Sequence, residues 1–441
     1  MVGETLEDRV FCSVTEYNEF AYKIAKFTQF SHDIDNVLIQ EVFSGGEFCP
    51  RFTTDLTNKS VYIVATPDLE LSPQELTMRI CLVADAAKEK GAKKVILVQP
   101  DLSYARQDRP PCMQRDGKMD GQPYSALVQA RNFKANGVNQ VLTMHIHSLR
   151  NYRAFGEAYG EHRGSELGTE LRTMYGLVHE LADHEKHAFQ QEIALREGEL
   201  EALGRGVLIN LDPNPALAHY LRFRSSLQVQ NDGENIVFIA PDAGAKHNID
   251  KLKELCFLPN ASIAYCSKVR EVPNTPDALT VELDGMSKNY TGLRGKSVII
   301  ADDIVDTGGT ITKTIRGLMN SHQVPDALYL CFTHPVLAGR NYNQIQNKLL
   351  SLRDKGMSTY EIITFNTHPF VEEPKHPKWR EVATVLRIAG YMSDAIRGCM
   401  AQGRTPQDFY HVSSLDELEQ KFKKLYDVKR STIHFLNNGL L

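Results

Sequence analysis

The chain has 441 residues, and 42% of them are hydrophobic, which is enough to bury one large core or two separate ones. Its 50 basic and 55 acidic side chains leave a formal net charge of −5. That balance excludes a chain built to neutralise a nucleic-acid backbone over its whole surface. A membrane protein is not expected either, because no window approaches the roughly 20 apolar residues that a spanning helix needs.

The N-terminal segment and the cysteines bear on the cellular compartment. Residues 1–8 are acidic and polar, unlike a signal or transit peptide. The eight cysteines lie far apart and form no Cys-x-x-Cys pair. We therefore expect reduced thiols in a cytoplasmic protein, and neither a disulfide framework nor a zinc ribbon.

The first third of the chain alternates short β-branched runs with helical stretches. Residues 61–65 are a predicted strand, and residues 74–90 are a predicted helix that stops at Gly91. Three more elements follow, a strand at 94–98, a helix at 125–135 and a strand at 140–144. This rhythm predicts right-handed βαβ units and a parallel sheet.

The middle of the chain has a different character. Glutamate is abundant between residues 155 and 205, and apolar residues recur on one helical face: Leu167, Leu171, Met174, Val178 and Leu181. We expect a helical insertion with solvated outer faces. The segment also holds four histidines: His162, His179, His184 and His187. We interpret them as polar surface residues, since a zinc-protease pattern needs a histidine where Asp183 stands.

A second series of alternating elements begins near Asn235. Its predicted strands are 236–240, 262–266, 297–301 and 327–331, with a helix at 311–320 before the last strand. Two α/β domains are the natural interpretation. The tail from about residue 402 to 441 is mixed and charged, with a helix predicted near 414–425.

Residues 298–311 carry the most information in the chain. A predicted strand ends in Asp302 and Asp303, at the carboxyl edge where ligands bind in open α/β sheets. A Thr-Gly-Gly-Thr turn follows at 307–310, and its two glycines let backbone N–H groups converge at a helix N-terminus. Two carboxylates beside such an anion cradle suit the diol of a phosphorylated sugar.

This string resembles the phosphoribosyl-diphosphate-binding loop of the type I phosphoribosyltransferase fold. That fold serves both the transferases and ribose-phosphate pyrophosphokinase (PRPP synthetase), and the rest of the chain resembles the pyrophosphokinase family in order. The other similar segments are Phe43–Glu47, Tyr104–Arg109, Gly121–Ala126, His145–His147, Pro241–Gly244, Lys268–Arg270 and Thr333–Pro335. The resemblance covers about residues 10–150 and 207–400.

The resemblance implies a reaction and a set of site residues. The family transfers the β,γ-diphosphoryl group of ATP to the C1 hydroxyl of ribose 5-phosphate, with Mg²⁺, and releases AMP. Lys268 and Arg270 would stabilise the transition state from a flexible loop, and His147 and Asp242 would hold Mg²⁺. ATP would contact Phe43, Glu47, Arg106, Gln107 and Asp108. The ribose phosphate would contact Asp302, Asp303, Asp306, Thr307, Gly308, Gly309 and Thr310.

The resemblance also implies an architecture. We expect an α/β protein with two type I phosphoribosyltransferase-like domains, each with a parallel sheet. The expected limits are 1–152 for the N-terminal domain, 153–206 for the helical insertion, 207–400 for the C-terminal domain and 401–441 for the tail. At least a homodimer is expected, because the family builds its nucleotide site across a dimer interface.

Two departures from the family pattern leave the acceptor open. Gly45 replaces an aspartate of the adenine loop, which removes an acceptor for the adenine amino group. His145 replaces an aspartate of the metal segment, which removes a negative charge near the cation. The insertion follows directly after His147, where it would cover or reshape the mouth of the active site. A larger ribose-phosphate acceptor, such as ADP-ribose, is therefore an alternative with the same chemistry.

Two other classes of function remain. A catalytically silent regulatory relative would be expected to have a damaged catalytic loop, whereas Lys268 and Arg270 are intact. A phosphoribosyltransferase would share the sugar-phosphate loop but would leave the first 150 residues unexplained. Formation of AMP from ATP separates the enzymes from the silent relative.

Overall fold

We describe the protein from a computed structural model of the whole chain. It describes residues 8–30, 34–67, 71–113, 121–242, 244–270, 279–284, 292–320, 324–337, 345, 347, 349, 351, 354, 356–368, 371, 383–400 and 410–430. The chain divides into two compact units. The first contains Met1–Leu211 and Met392–Pro406, and the second contains Asp212–Tyr391 and Gln407–Leu441.

The first unit is built on a five-stranded parallel sheet. Its strands are β1 (Arg9–Ser13), β4 (Ser60–Val64), β5 (Lys94–Val98), β6 (Gln140–Met144) and β7 (Leu208–Leu211), in the order β1-β4-β5-β6-β7. The crossover helices are α1 (Glu19–Phe27), α2 (Ile34–Val37), α3 (Pro73–Glu89) and α4 (Ser125–Ala135). The strands are apolar on both faces, as expected for a parallel sheet covered by helices.

Two further substructures complete the first unit. An antiparallel hairpin joins β2 (Leu38–Val42) to β3 (Phe48–Phe52). Three helices connect β6 to β7: α5 (Arg150–Tyr159), α6 (Glu161–Leu177) and α7 (Asp183–Arg205). The α6–α7 pair has a small core of its own, formed by Leu167, Leu171, Tyr175, Ile193 and Leu200.

The second unit is built on an eight-stranded sheet of order β10-β9-β8-β11-β12-β13-β14-β15. The strands are β8 (Ile236–Ala240), β9 (Ser262–Arg270), β10 (Leu279–Asp284), β11 (Ser297–Val305), β12 (Ala327–Pro335), β13 (Thr359–Phe365), β14 (Ala383–Arg387) and β15 (Asp427–Lys429). The six inner strands β9, β8, β11, β12, β13 and β14 run parallel to one another, whereas the edge strands β10 and β15 are antiparallel to their neighbours. The described helices are α8 (Asn214–Phe223), α9 (Lys246–Leu255), α10 (Gly309–Asn320), α11 (Ala389–Ala395) and α12 (Leu415–Phe422).

The predicted α/β class with parallel sheets is confirmed. Several predicted bounds agree with the observed ones, including the strands at 94–98, 140–144 and 236–240 and the helix at 125–135. The division into units differs from the expected domain limits. Residues 208–211 pair with β6 as the last strand of the first sheet, and residues 407–441 belong to the second unit.

The seven cysteines whose side chains are described are all free thiols: Cys12, Cys49, Cys81, Cys112, Cys256, Cys266 and Cys331. Across the described part of the chain, no helix is long and apolar enough to cross a membrane.

Candidate functional site

The carboxyl end of strand β11 carries the pair of acids that the sequence singled out. Residues 298–301 are fully buried because β11 lies between β8 and β12, and the side chains of Asp302 and Asp303 are half-buried where the strand reaches the edge of the sheet. The backbone N–H of Asp303 donates to Oδ1 of Asp302 at 3.0 Å. Both acids are therefore held at the edge where ligands bind in open α/β sheets.

The charge state of Asp302 depends on its neighbours. Burial raises the pKa of this carboxyl well above its usual range, and the nearby carboxylates of Asp303 and Asp242 raise it further. Three acids therefore crowd one edge of the second sheet, since Asp242 follows the adjacent strand β8. Such a group is favourable only when a cation or hydrogen-bond donors offset its negative charge.

The turn from β11 into α10 has the backbone that the glycines predict. Gly308 has a φ of +72°, and a Cβ there would lie 3.1 Å from Cδ1 of Ile345, so conformation and space both favour glycine. Its carbonyl accepts from the backbone N–H of Thr312 at 2.8 Å, which starts the helix. Thr307 is exposed and Thr310 is half-buried beside the first N–H groups of this 12-residue helix. Asp306 is half-buried at the start of the same turn.

One oxygen of Asp242 makes structural contacts. Its Oδ1 accepts from the backbone N–H groups of Gly244 at 2.8 Å and Ala245 at 3.1 Å, which fixes the turn into α9. Its Oδ2 accepts no hydrogen bond from the part of the chain that the structure describes. One oxygen of Asp242 is thus held by the backbone, and the other is open to a ligand as far as the described residues are concerned.

The donor chemistry of this edge fits Mg²⁺. The oxygens of Asp242, Asp302 and Asp303 are hard ligands, and their mutual repulsion marks an excess of negative charge. No three acidic, histidine or cysteine side chains among the described residues form a ready-made metal cage. Mg²⁺ is commonly bound through one or two carboxylates, with water and phosphate oxygens as its other ligands.

Lys268 and Arg270 belong to a strand and not to the loop that the resemblance implied. Both are among the last residues of β9, where Lys268 is opposite Val281 and Arg270 is opposite Leu279 of β10. The β-prone residues of 279–284 supply an antiparallel partner, which extends β9 beyond the predicted end at Cys266. Residues 271–278 and the two side chains lie outside the described part of the protein.

In the first unit, the expected adenine loop is the exposed end of the β2–β3 hairpin. Phe43 is 48% exposed, and its backbone N–H donates to the carbonyl of Glu47 at 2.9 Å. Gly46 has a φ of +88°, which favours glycine, whereas Gly45 has open space around it and no left-handed backbone. The aspartate missing at position 45 is therefore not excluded by sterics.

The segment 104–109 lies after β5, beside the N-termini of α4 and α5. Arg106 is exposed, whereas the side-chain carbonyl of Gln107 accepts from the backbone N–H of Ser125. The backbone carbonyl of Gln107 accepts from Ala126 at 3.1 Å. Gln107 therefore caps α4, a contact that the sequence did not reveal.

Asp108 and His147 are joined through the residue that follows the histidine. The Asp108 carboxylate is buried and accepts from the hydroxyl of Ser148, whereas His147 is exposed. His145 has a φ of +49°, a conformation in which histidine, like aspartate, is better tolerated than most residues. The structure therefore links the segment expected to bind ATP to the segment expected to bind the metal, within the first unit.

Sequence reasoning gave no role to several side chains that support these segments. Nδ1 of His334 on β12 lies 3.1 Å from the Thr367 hydroxyl, which itself donates to the carbonyl of Thr333 at 2.9 Å. Nδ1 is therefore the donor in this pair. His334 is the register partner of Ile304 on the neighbouring strand β11. Ser148 is the corresponding support in the first unit. The His334 and Thr367 contact spans 33 residues, so no local pattern predicts it.

The expected site residues fall into two groups, one in each unit. The described members in the second unit meet at the carboxyl edge of its sheet: Asp242, Asp302, Asp303, Asp306, Thr307, Gly308, Gly309 and Thr310. Those in the first unit are Phe43 and Glu47 on the hairpin, and Arg106, Gln107, Asp108 and His147 after β5 and β6.

Comparison with known proteins gives one consistent result. Residues 10–118 match the N-terminal domain of ribose phosphate pyrophosphokinase, and residues 210–327 match the phosphoribosyl transferase domain. The ribose-phosphate pyrophosphokinase of Bacillus caldolyticus is 24% identical over 337 residues, which covers 76% of this chain and 79% of that protein. The enzyme of the same name from a Marinomonas strain is 25% identical over 356 residues, 80% of this chain and 85% of that protein.

A solved structure shows the same fold. The phosphoribosylpyrophosphate synthetase of Mycobacterium smegmatis aligns with a TM-score of 0.61 and 19% sequence identity. The alignment covers 90% of this chain and 100% of that one.

Proposed function

Because the chain belongs to the ribose-phosphate pyrophosphokinase family, we propose that it transfers the β,γ-diphosphoryl group of ATP to the C1 hydroxyl of ribose 5-phosphate. The products are PRPP and AMP. The C1 oxygen forms a bond to the β-phosphorus. The bond between the β-phosphorus and the oxygen that bridges it to the α-phosphorus breaks, and that oxygen leaves with AMP. The hydroxyl proton is released.

One observation carries the proposal. Two carboxylates in the last part of β11 precede, by a few residues, the glycine turn that opens helix α10. Asp302 and Asp303 provide acceptors for the two hydroxyls of a ribose, and the backbone N–H groups that follow provide donors for its 5-phosphate. The raised pKa of Asp302 supports this assignment, because hydroxyl donors and a cation relieve the repulsion among these acids.

The phosphate cradle needs short side chains as well as free N–H groups. Thr307 and Thr310 add hydroxyl donors, and Gly308 and Gly309 leave the backbone open to the phosphate. Gly308 is further restricted by Ile345, so a larger residue would displace the turn.

The nucleotide is assigned to the first unit. Exposed Arg106 offers a fork of donors to a phosphate, and Phe43 and Glu47 offer an aromatic face and an acceptor to adenine. Gln107 and Asp108 make intramolecular contacts, so we assign them to holding the segment that carries Arg106.

Lys268 and Arg270 are proposed to neutralise charge on the transferring phosphate oxygens. Phosphoryl transfer requires little covalent participation by the protein, so the rate enhancement comes mainly from positioning and electrostatic stabilisation. Asp242 would hold Mg²⁺, as would His147 by the family resemblance, and the cation would offset the charge of the phosphate oxygens.

We also propose a homodimer or larger homo-oligomer in the cytoplasm. Dimerisation is implied by the family, whose adenine loop serves a neighbouring subunit, and the exposed tip of the β2–β3 hairpin is compatible with that role. The wide spacing of the eight cysteines, which form no Cys-x-x-Cys pair, supports a reducing compartment.

Mass spectrometry of the protein with ATP and Mg²⁺ tests the proposal, with ribose 5-phosphate and ADP-ribose offered separately. We expect ribose 5-phosphate to gain a diphosphate while AMP appears in equal amount. Diphosphate gained by ADP-ribose alone would change the acceptor and keep the chemistry. Absence of AMP in both reactions would contradict the enzyme and favour a silent relative.

The variant Lys268→Ala tests the proposed role of this side chain in the reaction. It should lower kcat by about 100-fold or more, while binding of ATP stays nearly unchanged, because its charge acts mainly in the transition state. A turnover close to that of the unmodified protein would refute the role of Lys268.

A further inference from the structure

Asp108 makes its contacts inside the protein. Its side chain is 4% exposed, and its Oδ2 accepts from the Ser148 hydroxyl. The oxygen of that hydroxyl also accepts from the backbone N–H of Arg150 at 3.1 Å. Ser148 therefore ties the end of the ATP segment to the first turn of α5.

A second contact joins the same two segments. The side-chain amide of Asn151 donates to the carbonyl of Ala105 at 3.1 Å and to the carbonyl of Ser148 at 3.2 Å. Asn151 is fully buried, so these hydrogen bonds are shielded from water. The segment 104–109 is thus held at both ends by residues at the start of α5.

The Asp108 carboxylate lines a cavity of about 20 Å³, room for roughly one water molecule. Most other walls of the cavity come from the helical segment α5–α7, including Arg150, Arg153, Glu157, Arg172 and Tyr175. The cavity therefore brings Arg150, Arg153 and Arg172 to the same small space as the buried Asp108 side chain.

Two of these arginines, Arg153 and Arg172, belong to ion-pair clusters that together involve four helices. Buried Glu157 of α5 pairs with Arg131 of α4 at 2.9 Å and with Arg172 of α6 at 2.8 Å. Arg153 of α5 pairs with Glu197 and Glu201 of α7, and the Tyr175 hydroxyl donates to Glu197 at 2.6 Å. Breaking one member of such a network leaves an uncompensated charge in the interior.

We propose that Asp108 is a positioning residue through which α5–α7 hold the 104–109 segment in the conformation that binds ATP. The inference rests on the proposed function and deepens it. It gives the helical segment a definite role, since α5–α7 set the affinity for nucleotide by supporting Asp108 and Ser148. The carboxylate is too buried to contact the nucleotide, whereas Arg106 on the same segment is exposed.

Equilibrium binding of the magnesium–ATP complex, measured without acceptor, tests this role. Asp108→Ala should raise the Kd by about tenfold or more, as expected for loss of a hydrogen bond to a charged group, and Ser148→Ala by about three- to tenfold. The double variant should bind about as weakly as Asp108→Ala alone, because both changes remove one shared contact. Asp108→Asn, which keeps an acceptor for Ser148, should recover part of the affinity.

A matched pair on α6 tests the contribution of the helices. Arg172→Gln removes a charge that faces the cavity, and we expect the Kd to rise about threefold or more. Arg163→Gln removes a charge from the exposed ion pair with Glu199, and the Kd should stay within about twofold. Steady-state kinetics should show the KM for ATP rising in the first variant, with the KM for ribose 5-phosphate unchanged.

The outcomes separate the two proposals. If the unmodified protein binds no ATP, the proposed function fails and this inference fails with it. If it binds ATP but Ser148→Ala and Arg172→Gln bind equally well, the positioning role alone is overturned. Thermal unfolding of every variant shows whether the substitution has destabilised the whole protein. If Asp108→Ala does not fold, Ser148→Ala provides the test. Additive effects in the double variant would also contradict the shared contact.

Discussion

At the scale of single residues, Asp302 shows how the site differs from the core beneath it. The preceding residues of β11 are buried and apolar, so they stabilise the sheet. Asp302 is held next to two other acids, and its raised pKa shows that its ionised form is disfavoured in the folded protein. Crowding of these acids therefore costs stability when no ligand offsets their charge.

The variant Asp302→Asn tests this trade-off. A raised folded-state pKa means that the folded protein binds more protons than the unfolded chain, so stability falls as pH rises above the ordinary carboxyl range. The amide side chain of the variant keeps an oxygen for the Asp303 N–H and loses the charge. Without divalent cations, we expect the variant to unfold at a higher temperature near pH 7, with a smaller difference near pH 4.

The KM of the Asp302→Asn variant for the acceptor should rise by about tenfold. An unchanged KM would count against the diol-binding role.

His219 gives a second pH effect, of opposite sign. Its Nδ1 lies 2.6 Å from the Tyr426 hydroxyl, and burial lowers the pKa of the ring to about 4. The unfolded chain therefore binds more protons than the folded protein between about pH 4 and 6.5, so this stability is present above pH 6.5 and is lost toward pH 4. The loss amounts to about 3 kcal/mol at most.

Thermal unfolding of His219→Gln across that range checks the prediction. The fall in Tm between pH 6.5 and 4 should be smaller than in the unmodified protein, because the variant has no ring to protonate. The exposed His184, changed to Gln, serves as the control and should leave the slope unchanged. Identical slopes for all three proteins would show that His219 is not the titrating group.

At the scale of elements, glycines set how closely the helices of the α5–α7 segment approach. Four of them recur at every fourth position of α5 and α6: Gly156, Gly160, Gly164 and Gly168. A Cβ at Gly156 would lie 2.0 Å from the carbonyl oxygen of Leu200, and one at Gly204 would lie 1.9 Å from that of Tyr152. The backbones of α5 and α7 are therefore in direct contact, and no side chain fits at these positions.

Gly204→Ala should consequently destabilise the first unit by about 3 kcal/mol, the upper range for overpacking against a backbone that cannot move aside. Gly198→Ala is the matched control on the same helix, since a Cβ there meets nothing within 4 Å. It should leave stability unchanged or raise it by up to about 1 kcal/mol, because alanine is the better helix former. Urea unfolding of both variants gives the comparison. Equal stability would mean that α5 and α7 can separate without cost.

The elements also show what the sequence could and could not predict. Short apolar runs give the strands at 94–98 and 236–240, because strands buried on both faces are apolar along their whole length. The extension of β9 to Arg270 was missed because it depends on pairing with β10. The Asp108–Ser148 contact spans 40 residues, so its partners cannot be identified from local spacing. The turn at 306–310 was predictable, since its chemistry is contained in adjacent residues.

At the scale of the whole molecule, the C-terminal part of the chain contributes to both units. Ser393 and Ile396 are fully buried in the first unit, where the Ser393 hydroxyl donates to the carbonyl of Ile24 at 3.2 Å. Leu418 and Phe422 of α12 are fully buried in the second unit, and β15 pairs with β14. Among the last 50 residues, those that the structure describes therefore contribute buried side chains to the two units.

Two truncations separate these contributions. A stop after residue 409 removes α12 and β15, so hydrogen exchange should accelerate in β14 and α8 of the second unit. Exchange in β4 and β5 of the first unit should stay slow. A stop after Tyr391 also removes Ser393 and Ile396, so exchange should accelerate in both units.

Mass spectrometry of peptides from Ser60–Val64 and Ala383–Arg387 reports on the two units separately. Arg397→Lys in the full-length chain is the milder control. It tests one contact of the segment, the guanidinium that donates to the carbonyl of Phe27, and should accelerate exchange only near α1. If the shorter truncation exposed β4 as strongly as β14, the first unit would depend on α12 and β15 for its own stability. The assignment of residues 407–441 to the second unit alone would then be wrong, because loss of a segment should loosen first the core in which its side chains are buried.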